Sequence, residues 1–427
     1  MAPLDLTRDI ILRWDGAGAA DVPLFEEGGI TAIVADEPAA GFVEACGRAG
    51  LTVVRTRELR FVSLDEWSRP AGSEPAILSR GVWPGATRPS GELGDVVAAG
   101  ASGQPWLDAN LHWYAWLREM NPRRPAVLGY LPDERAGVTP DRMVAFHSLE
   151  AGLAEARVSG GNWLLAMEPR YREALRKGDE KARAAWRHLG STARWLRENA
   201  ALFATPPDPT ITALQEHGEE TAEIANLLFR HNGSPALAPL ASPPPPDPDR
   251  RLALVAANLH AGAPAAAERI LAHARAGATV ILDDGAQPAW WKQAVSGPVR
   301  EEHDRSFYRC GRGQLVAYQE RIADPSEFAL DVIDIVTHVR RPVRLWGTGT
   351  VIASLRRDPS SRRATLILMN YGSPNDNEIL IHVRGAYRSA RLLRPGASDL
   401  ELTTAQRKTA TEVRPPGLDT VAAIVFQ

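Results

Sequence analysis

Through the first 240 residues the chain alternates short apolar runs with longer amphipathic stretches, and several runs close on charged or aromatic residues. IILRW (10–14) stops at Asp15, ITAIVA (30–35) at Asp36 and Glu37, and LTVV (51–54) at Arg55. AVLGYLP (126–132) stops at Asp133 and Glu134, WLLAM (163–167) at Glu168, and ITAL (211–214) at Gln215, Glu216 and His217. Unbroken apolar runs of this length belong to strands buried on both faces, as in a parallel sheet. The pattern predicts strands at 9–14, 30–35, 51–56, 76–80, 125–131, 162–167, 210–215 and 235–240. Helices are expected between them. Residues 38–49 open on Pro38 and end before Gly50, the usual helix asymmetry. Further helices are expected at 139–157, over the Ala/Arg/Leu/Glu-rich run 169–203, and at 218–232, which has acids in its first turn.

Eight strand–helix repeats in about 240 residues predict an α/β fold that starts with a TIM-like (β/α)8 barrel over 1–241. The Gly/Pro-rich segment 81–104 reads as a long loop over its mouth. SPPPPDPD (242–249) reads as a stiff linker, so a domain boundary is expected there. LALVAAN (252–258), a helix near 263–276 and ATVILDD (278–284) then form a βαβ unit, with QLVAYQE (314–320) as a later strand. This gives a compact α/β domain over 250–338. From Pro342 the runs shorten and alternate between Pro, Gly, Ser and Asn clusters, which predicts an antiparallel β-sandwich over 342–427.

Composition narrows the chemistry. The net charge of −3 provides no basic field, so nucleic acid and anionic membrane are poor partners. No run approaches the roughly 20 apolar residues of a membrane span. The opening MAPLDLTRDIILRWDG lacks a basic region ahead of an apolar one, which favours a cytoplasmic protein; a chain starting after a removed leader would read the same way. Cys46 and Cys310 are too few and too far apart for a disulfide framework or a metal site. The ten His are scattered, with no HxH or HExxH, and no GxGxxG follows a strand, so neither a metal nor a nucleotide cofactor is expected. Nine of the twelve Trp precede residue 200, where they can pack helices onto strands or stack on sugar rings.

Carboxylates at strand ends are the candidate catalytic groups. Asp133-Glu134 lies near apolar and aromatic residues, a setting that raises a carboxyl pKa and suits a general acid; it can equally cap the next helix. Glu216 could supply the second carboxylate of a glycosidase pair, or could join Glu219 and Glu220 as helix N-terminal charge. Trp14, Asp15, Asp36, Glu37, Arg80, Trp83, Tyr130, Glu168 and His217 could line the cleft as substrate-binding groups.

This layout resembles that of family 42 β-galactosidases, which have a barrel, an amidotransferase-like α/β trimerisation domain and a small C-terminal β-domain. Three features carry the resemblance: GRGQLVAY (311–318), LILMNY (366–371) followed by EILIHV (378–383), and the closing PPGLDTVAAIVF. It implies a glycoside hydrolase with an Asn-Glu acid/base after strand four and a Glu nucleophile after strand seven, no cofactor, a carbohydrate substrate and possible homo-oligomers. Glu216 meets the second position if 76–80 is a barrel strand. Asp133-Glu134 meets the first only if 76–80 is not. The working assignment is Glu134 as acid, Glu216 as nucleophile and Asp133 positioning Glu134. The alternatives are a non-catalytic carbohydrate-binding or assembly protein on a degenerate barrel, and a lyase or isomerase acting on a sugar acid through Arg57, Arg80 and Arg135.

Overall fold

The computed structural model describes residues 4–68, 75–78, 110–129, 146–215, 219–247, 253–257, 265–282, 289–320, 322, 324–336, 341–358, 361–372 and 379–427. Seven strands form the first sheet: β1 (Ile11–Arg13), β2 (Ala32–Ala35), β3 (Thr52–Arg55), β4 (Phe61–Val62), β5 (Ile77–Leu78), β6 (Val127–Leu128) and β7 (Asn162–Ala166). They are all parallel, in the order β3-β2-β1-β7-β6-β5-β4. The two end strands, β3 and β4, are consecutive in the chain, which is the order of a TIM-like barrel opened between them.

Alternation along the strands separates two layers. Ile11, Ala32, Val34, Ile77, Val127 and Leu164 form one small buried cluster inside the curl of the sheet. Their chain neighbours Leu12, Ile33, Leu78, Leu128, Trp163 and Leu165 join a larger cluster with the helices outside. Those helices are α1 (Val22–Glu27), α2 (Ala40–Arg48), α3 (Leu64–Trp67), α4 (Leu111–Met120), α5 (Phe146–Val158), α6 (Pro169–Lys177), α7 (Glu180–Glu198) and α8 (Ala200–Ala204). The single helix expected over 169–203 is therefore three. Gly178, at φ 76°, ends α6, and the Asp179 carboxylate accepts from the Ala182 N–H at 2.9 Å to open α7. Trp186 on α7 is fully buried and donates Nε1–H to the Leu24 carbonyl at 2.6 Å. One turn on, a Cβ at Gly190 would stand 1.9 Å from the Glu27 carbonyl oxygen, so only glycine lets α1 approach α7 this closely.

The last two expected barrel strands belong elsewhere. β8 (Ile211–Gln215), α9 (Glu219–Arg230) and β9 (Ala236–Pro239) enter a second sheet with β10 (Ala253–Ala256), α10 (Ala267–Ala276), β11 (Thr279–Leu282), β12 (Arg300–Glu301), β13 (Arg305–Cys310) and β14 (Gly313–Tyr318). Its order is β12-β13-β14-β11-β10-β8-β9, with five parallel strands and an antiparallel hairpin at one edge. α11 (Pro325–Ile335) packs against α9 on one face of this sheet. The proline run at 242–249 thus falls inside the sheet, between β9 and β10, and the change of sheet comes before Ile211. A parallel β8–α9–β9 unit has the same local pattern in a barrel as in an open sheet, and its partner strand decides between them.

The C-terminal strands are β15 (Val343–Trp346), β16 (Val351–Arg357), β17 (Ala364–Asn370), β18 (Leu380–Arg384), β19 (Ala390–Leu393), β20 (Leu400–Leu402), β21 (Ala405–Arg407), β22 (Ala410–Val413) and β23 (Val421–Phe426). They form two antiparallel sheets, β15-β18-β22-β21 and β16-β17-β23-β19-β20. Residues of both sheets, including Val383, Val413, Leu366 and Ile424, share one core, as the expected sandwich requires. The outer face of the second sheet packs on the barrel: Ile352, Ile367, Met369 and Tyr371 join the barrel–helix cluster.

Candidate functional site

The C-terminal edge of the barrel sheet collects charge. Arg13 is two residues beyond Ile11, Asp36 two beyond Val34, and Glu168 four beyond Leu164, so all three continue the inward register of their strands. The Arg13 side chain, 11% exposed, holds two carboxylates: Nε bonds Asp15 Oδ2 at 3.0 Å and Nη2 bonds Asp36 Oδ2 at 3.4 Å. The Asp36 N–H donates to Asp15 Oδ1 at 3.3 Å. Arg13 Nη1 is buried without an acceptor among the described residues. One strand over, Glu168 is almost completely buried at the start of α6, and Arg170 Nε lies 2.7 Å from its Oε2.

α6 locks this edge from outside. Arg172 Nη1 donates to the Asp15 carbonyl at 2.8 Å, and Arg176 Nη2 donates to the Gly16 carbonyl at 2.9 Å. Arg176 also forks onto Asp21 at 2.8 and 2.7 Å. Burial, the largest single cause, pushes the Asp21 carboxyl up, but the Arg176 hydrogen bonds, the Gly18 N–H and the charges of Arg176 and Arg172 together hold the pKa below the ordinary value. The loop that presents Asp15 is thereby pinned on both sides.

Trp14 has a different place from the one expected. It belongs to the opposite register from Arg13, is fully buried, and meets Phe25 edge-to-face at 5.1 Å with the Arg176 guanidinium 5.6 Å from its ring centroid. It is a core residue of the strand–helix layer and presents no open face for a sugar. Asp36 and Glu37 are exposed. Gly129, just after β6, packs directly against the filled interior of the curl: a Cβ there would stand 2.6 Å from Leu164 Cβ.

Asp133, Glu134, Tyr130, Arg80, Trp83, Glu216 and His217 lie outside the described residues. The strands that lead to them are described. Arg80 and Trp83 follow β5, and Tyr130, Asp133 and Glu134 follow β6, both in the barrel sheet; Glu216 and His217 follow β8, which is in the second sheet. The expectation that Glu216 follows the seventh barrel strand is therefore corrected: that strand is β7, and the carboxylate after it is Glu168. Residues 76–80 do supply a barrel strand, β5, so Asp133-Glu134 follows the sixth strand of the sheet and does not meet the fourth-strand position expected of the acid/base. Sequence reading missed Arg13, Arg172 and Arg176. The alternation Ile11–Arg13–Asp15 and the four-residue spacing of the two α6 arginines are the signals that mark them. No group of three or more His, Cys, Asp or Glu placed to hold a metal ion occurs among the described residues, and no described helix is long and apolar enough to cross a membrane.

The fold resembles that of solved glycosidases, family 42 β-galactosidases among them, at low sequence identity. Over 98% of this chain and 99% of the other, it superposes on α-L-fucosidase isoenzyme 2 from Paenibacillus thiaminolyticus with a TM-score of 0.57 and 9% identity. A β-galactosidase from Bacillus circulans sp. alkalophilus gives 0.51 at 10% identity, over 74% of this chain and 58% of that enzyme. A catalytic mutant of a family 42 β-galactosidase from G. stearothermophilus gives 0.50 at 8% identity, over 91% of this chain and 66% of that one. No protein-family model and no curated protein sequence matches the chain.

Proposed function

We propose that the strand-end edge of the barrel binds a carbohydrate and cleaves a glycosidic bond with paired carboxylates, Glu134 serving as acid and Glu168 as its partner. The observation that carries this reading is the cluster of Arg13, Asp15, Asp36 and Glu168 at the C-terminal ends of three adjacent parallel strands, where barrel enzymes gather their chemistry. Asp133 and Glu134 follow the next strand in the sheet, β6. Glu168 takes the place of Glu216 because it follows the seventh barrel strand, where the family resemblance expects a nucleophile; Glu134 does not meet the fourth-strand position and is chosen because β6 pairs directly with β7. Sugar hydroxyls are both donors and acceptors, and the Asp15 and Asp36 carboxylates, which reach solvent, can accept from them. The enzyme class of the superposed structures supports the same reading.

A second reading, carbohydrate binding without cleavage, is favoured by the ion pairs. Asp15, Asp36 and Glu168 are each already engaged by a guanidinium. A panel of p-nitrophenyl glycosides (β-galactoside, α-L-fucoside, β-mannoside) separates the two readings. Hydrolysis of one member is expected, with Glu134→Gln and Glu168→Gln each lowering kcat by about 10²–10⁴-fold. Binding of the free sugar with no release of p-nitrophenol would support the second reading. Turnover that survives both substitutions would remove the carboxylate assignment.

A further inference from the structure

At the opposite end of the same strands lies a cavity of about 910 Å³, where the barrel, the second sheet and the sandwich meet. Its walls include Pro122 and Ser159, which precede β6 and β7, residues 205–209 before β8, and Ile352, Ser354, Arg356 and Arg357 of β16. This volume lies within the 300–1,000 Å³ range of small-molecule sites. Most of the lining is apolar: Leu111, Phe229, Leu237, Ile367 and Met369 contribute.

Three guanidiniums reach this space. Arg357 is matched by Asp208 at 2.5 Å. The other two have no counter-ion among the described residues. Arg356 is buried, and its terminal nitrogens donate to neutral carbonyls, those of Phe203, Thr205 and Val158, while its Nε finds no acceptor. Arg118 makes no hydrogen bond or ion pair among the described residues, and its Nη1 lies above Gly160, where a Cβ would come within 3.0 Å of it. The two charges are close enough for Arg118 to help depress the Arg356 pKa, although burial is the larger cause. Glu119 reaches the rim but forms no ion pair with Arg118, and burial raises its carboxyl pKa. The Ser354 hydroxyl is buried without a partner among the described residues. Uncompensated buried charge is expensive, and the effective remedy is an anion that brings its own hydrogen-bond acceptors.

We infer that this cavity binds an apolar carboxylic acid, its carboxylate held by the Arg118 guanidinium and its hydrocarbon body lying against Phe229, Ile367 and Met369. This site is independent of the sugar reading.

The test is isothermal titration of the full chain with laurate below its micelle concentration, and with dodecanol and inorganic sulfate in parallel. Laurate is expected to bind at least about tenfold more tightly than dodecanol, which lacks the charge, and than sulfate, which lacks the apolar body. Arg118→Met, which keeps the stem and removes the charge, is expected to weaken laurate by about tenfold or more while leaving dodecanol unchanged. Ala115→Phe, which fills the cavity from α4, is expected to abolish both, with circular dichroism confirming the fold. Equal binding of laurate and dodecanol, equal binding of laurate and sulfate, or unchanged laurate binding in Arg118→Met would each overturn the inference.

Discussion

The two ends of the barrel strands both hold arginines, yet they use them in opposite ways. At the C-terminal edge, Arg13, Arg170 and Arg176 face carboxylates, and each pair has at least one member partly in water. At the N-terminal end, Arg356 is buried against three backbone carbonyls, and Arg157 donates to the carbonyls of Thr7, Arg8 and Asp9. Val158 and Phe203 lie in the last turns of α5 and α8, whose carbonyls have no partner within the helix, so Arg356 acts as a cap supplied by another domain. At one end charged pairs keep a member in contact with solvent, and at the other a buried guanidinium joins domains. Exposed ion pairs add little stability, whereas removing a buried guanidinium strands every group it satisfied.

The sharpest way to break this comparison is the same substitution at both ends. Arg356→Met is expected to destabilise the protein by about 3–5 kcal/mol in urea denaturation at 25 °C, because it leaves buried carbonyls unsatisfied. A loss under about 1 kcal/mol would show that the carbonyls find other partners.

The next largest effect concerns Glu155 on α5, buried where the sandwich meets the barrel. It accepts from the Asn110 N–H at 2.5 Å, from Asn110 Nδ2 at 2.9 Å and from the Tyr371 hydroxyl at 2.8 Å. Burial raises its pKa to about 7, and these hydrogen bonds only partly offset that. The folded state therefore holds this proton more tightly than the unfolded chain. Its contribution to stability is complete below the ordinary 4.5 and is lost as pH rises to about 7. Glu155→Gln is expected to flatten that slope and to raise stability at pH 8 by on the order of 3 kcal/mol. Parallel urea titrations at pH 5 and pH 8 check it, and a variant with an undiminished slope would refute the assignment.

His188 on α7 gives a smaller effect of the same sign. Its Nε2 lies 2.9 Å from Asp419 Oδ2 in the sandwich and 3.4 Å from Glu150 Oε1. The Asp419 hydrogen bond raises its pKa to about 9 against an opposing effect of burial, with Glu150 adding to the rise. The imidazolium stabilises the docked sandwich fully below pH 6.5, and that contribution is lost as pH rises through about 9. Because His188 is half-exposed, His188→Gln is expected to cost only about 1 kcal/mol at pH 6 and nothing at pH 10. Thermal melts at the two pH values measure the difference. Smallest in stability is Arg13→Met, at under about 1 kcal/mol, although the same variant is expected to weaken sugar binding about tenfold. A stability loss as large as that of Arg356→Met would erase the distinction between the two ends.

Much of the site's outline was legible in the chain. Runs ending at Asp15, Asp36 and Glu168 place those carboxylates at strand C-termini, and Pro38 and Gly50 bracket the helix α2, whereas the break at Gly178-Asp179 was passed over in a run read as one helix. Trp14 was harder to place, because one register shift decides whether a ring faces the helices or the mouth, and the short run Ile10–Trp14 is apolar on both faces. The role of Arg356 was not legible at all, since its acceptors lie about 150 and 200 residues away in the chain.

The sequence alone determined the local structure: strands buried on both faces, helices with their caps, an antiparallel C-terminal sandwich, and acids at strand ends. These follow from interactions within a few residues, which periodicity records. Only the tertiary structure decided that β8 and β9 hydrogen-bond to β10 and not to the barrel, that Glu168 and not Glu216 follows the seventh barrel strand, and that an arginine-lined cavity lies where three domains meet. Strand pairing and domain docking are contacts between distant segments, and a parallel βαβ unit has the same pattern whichever sheet receives it.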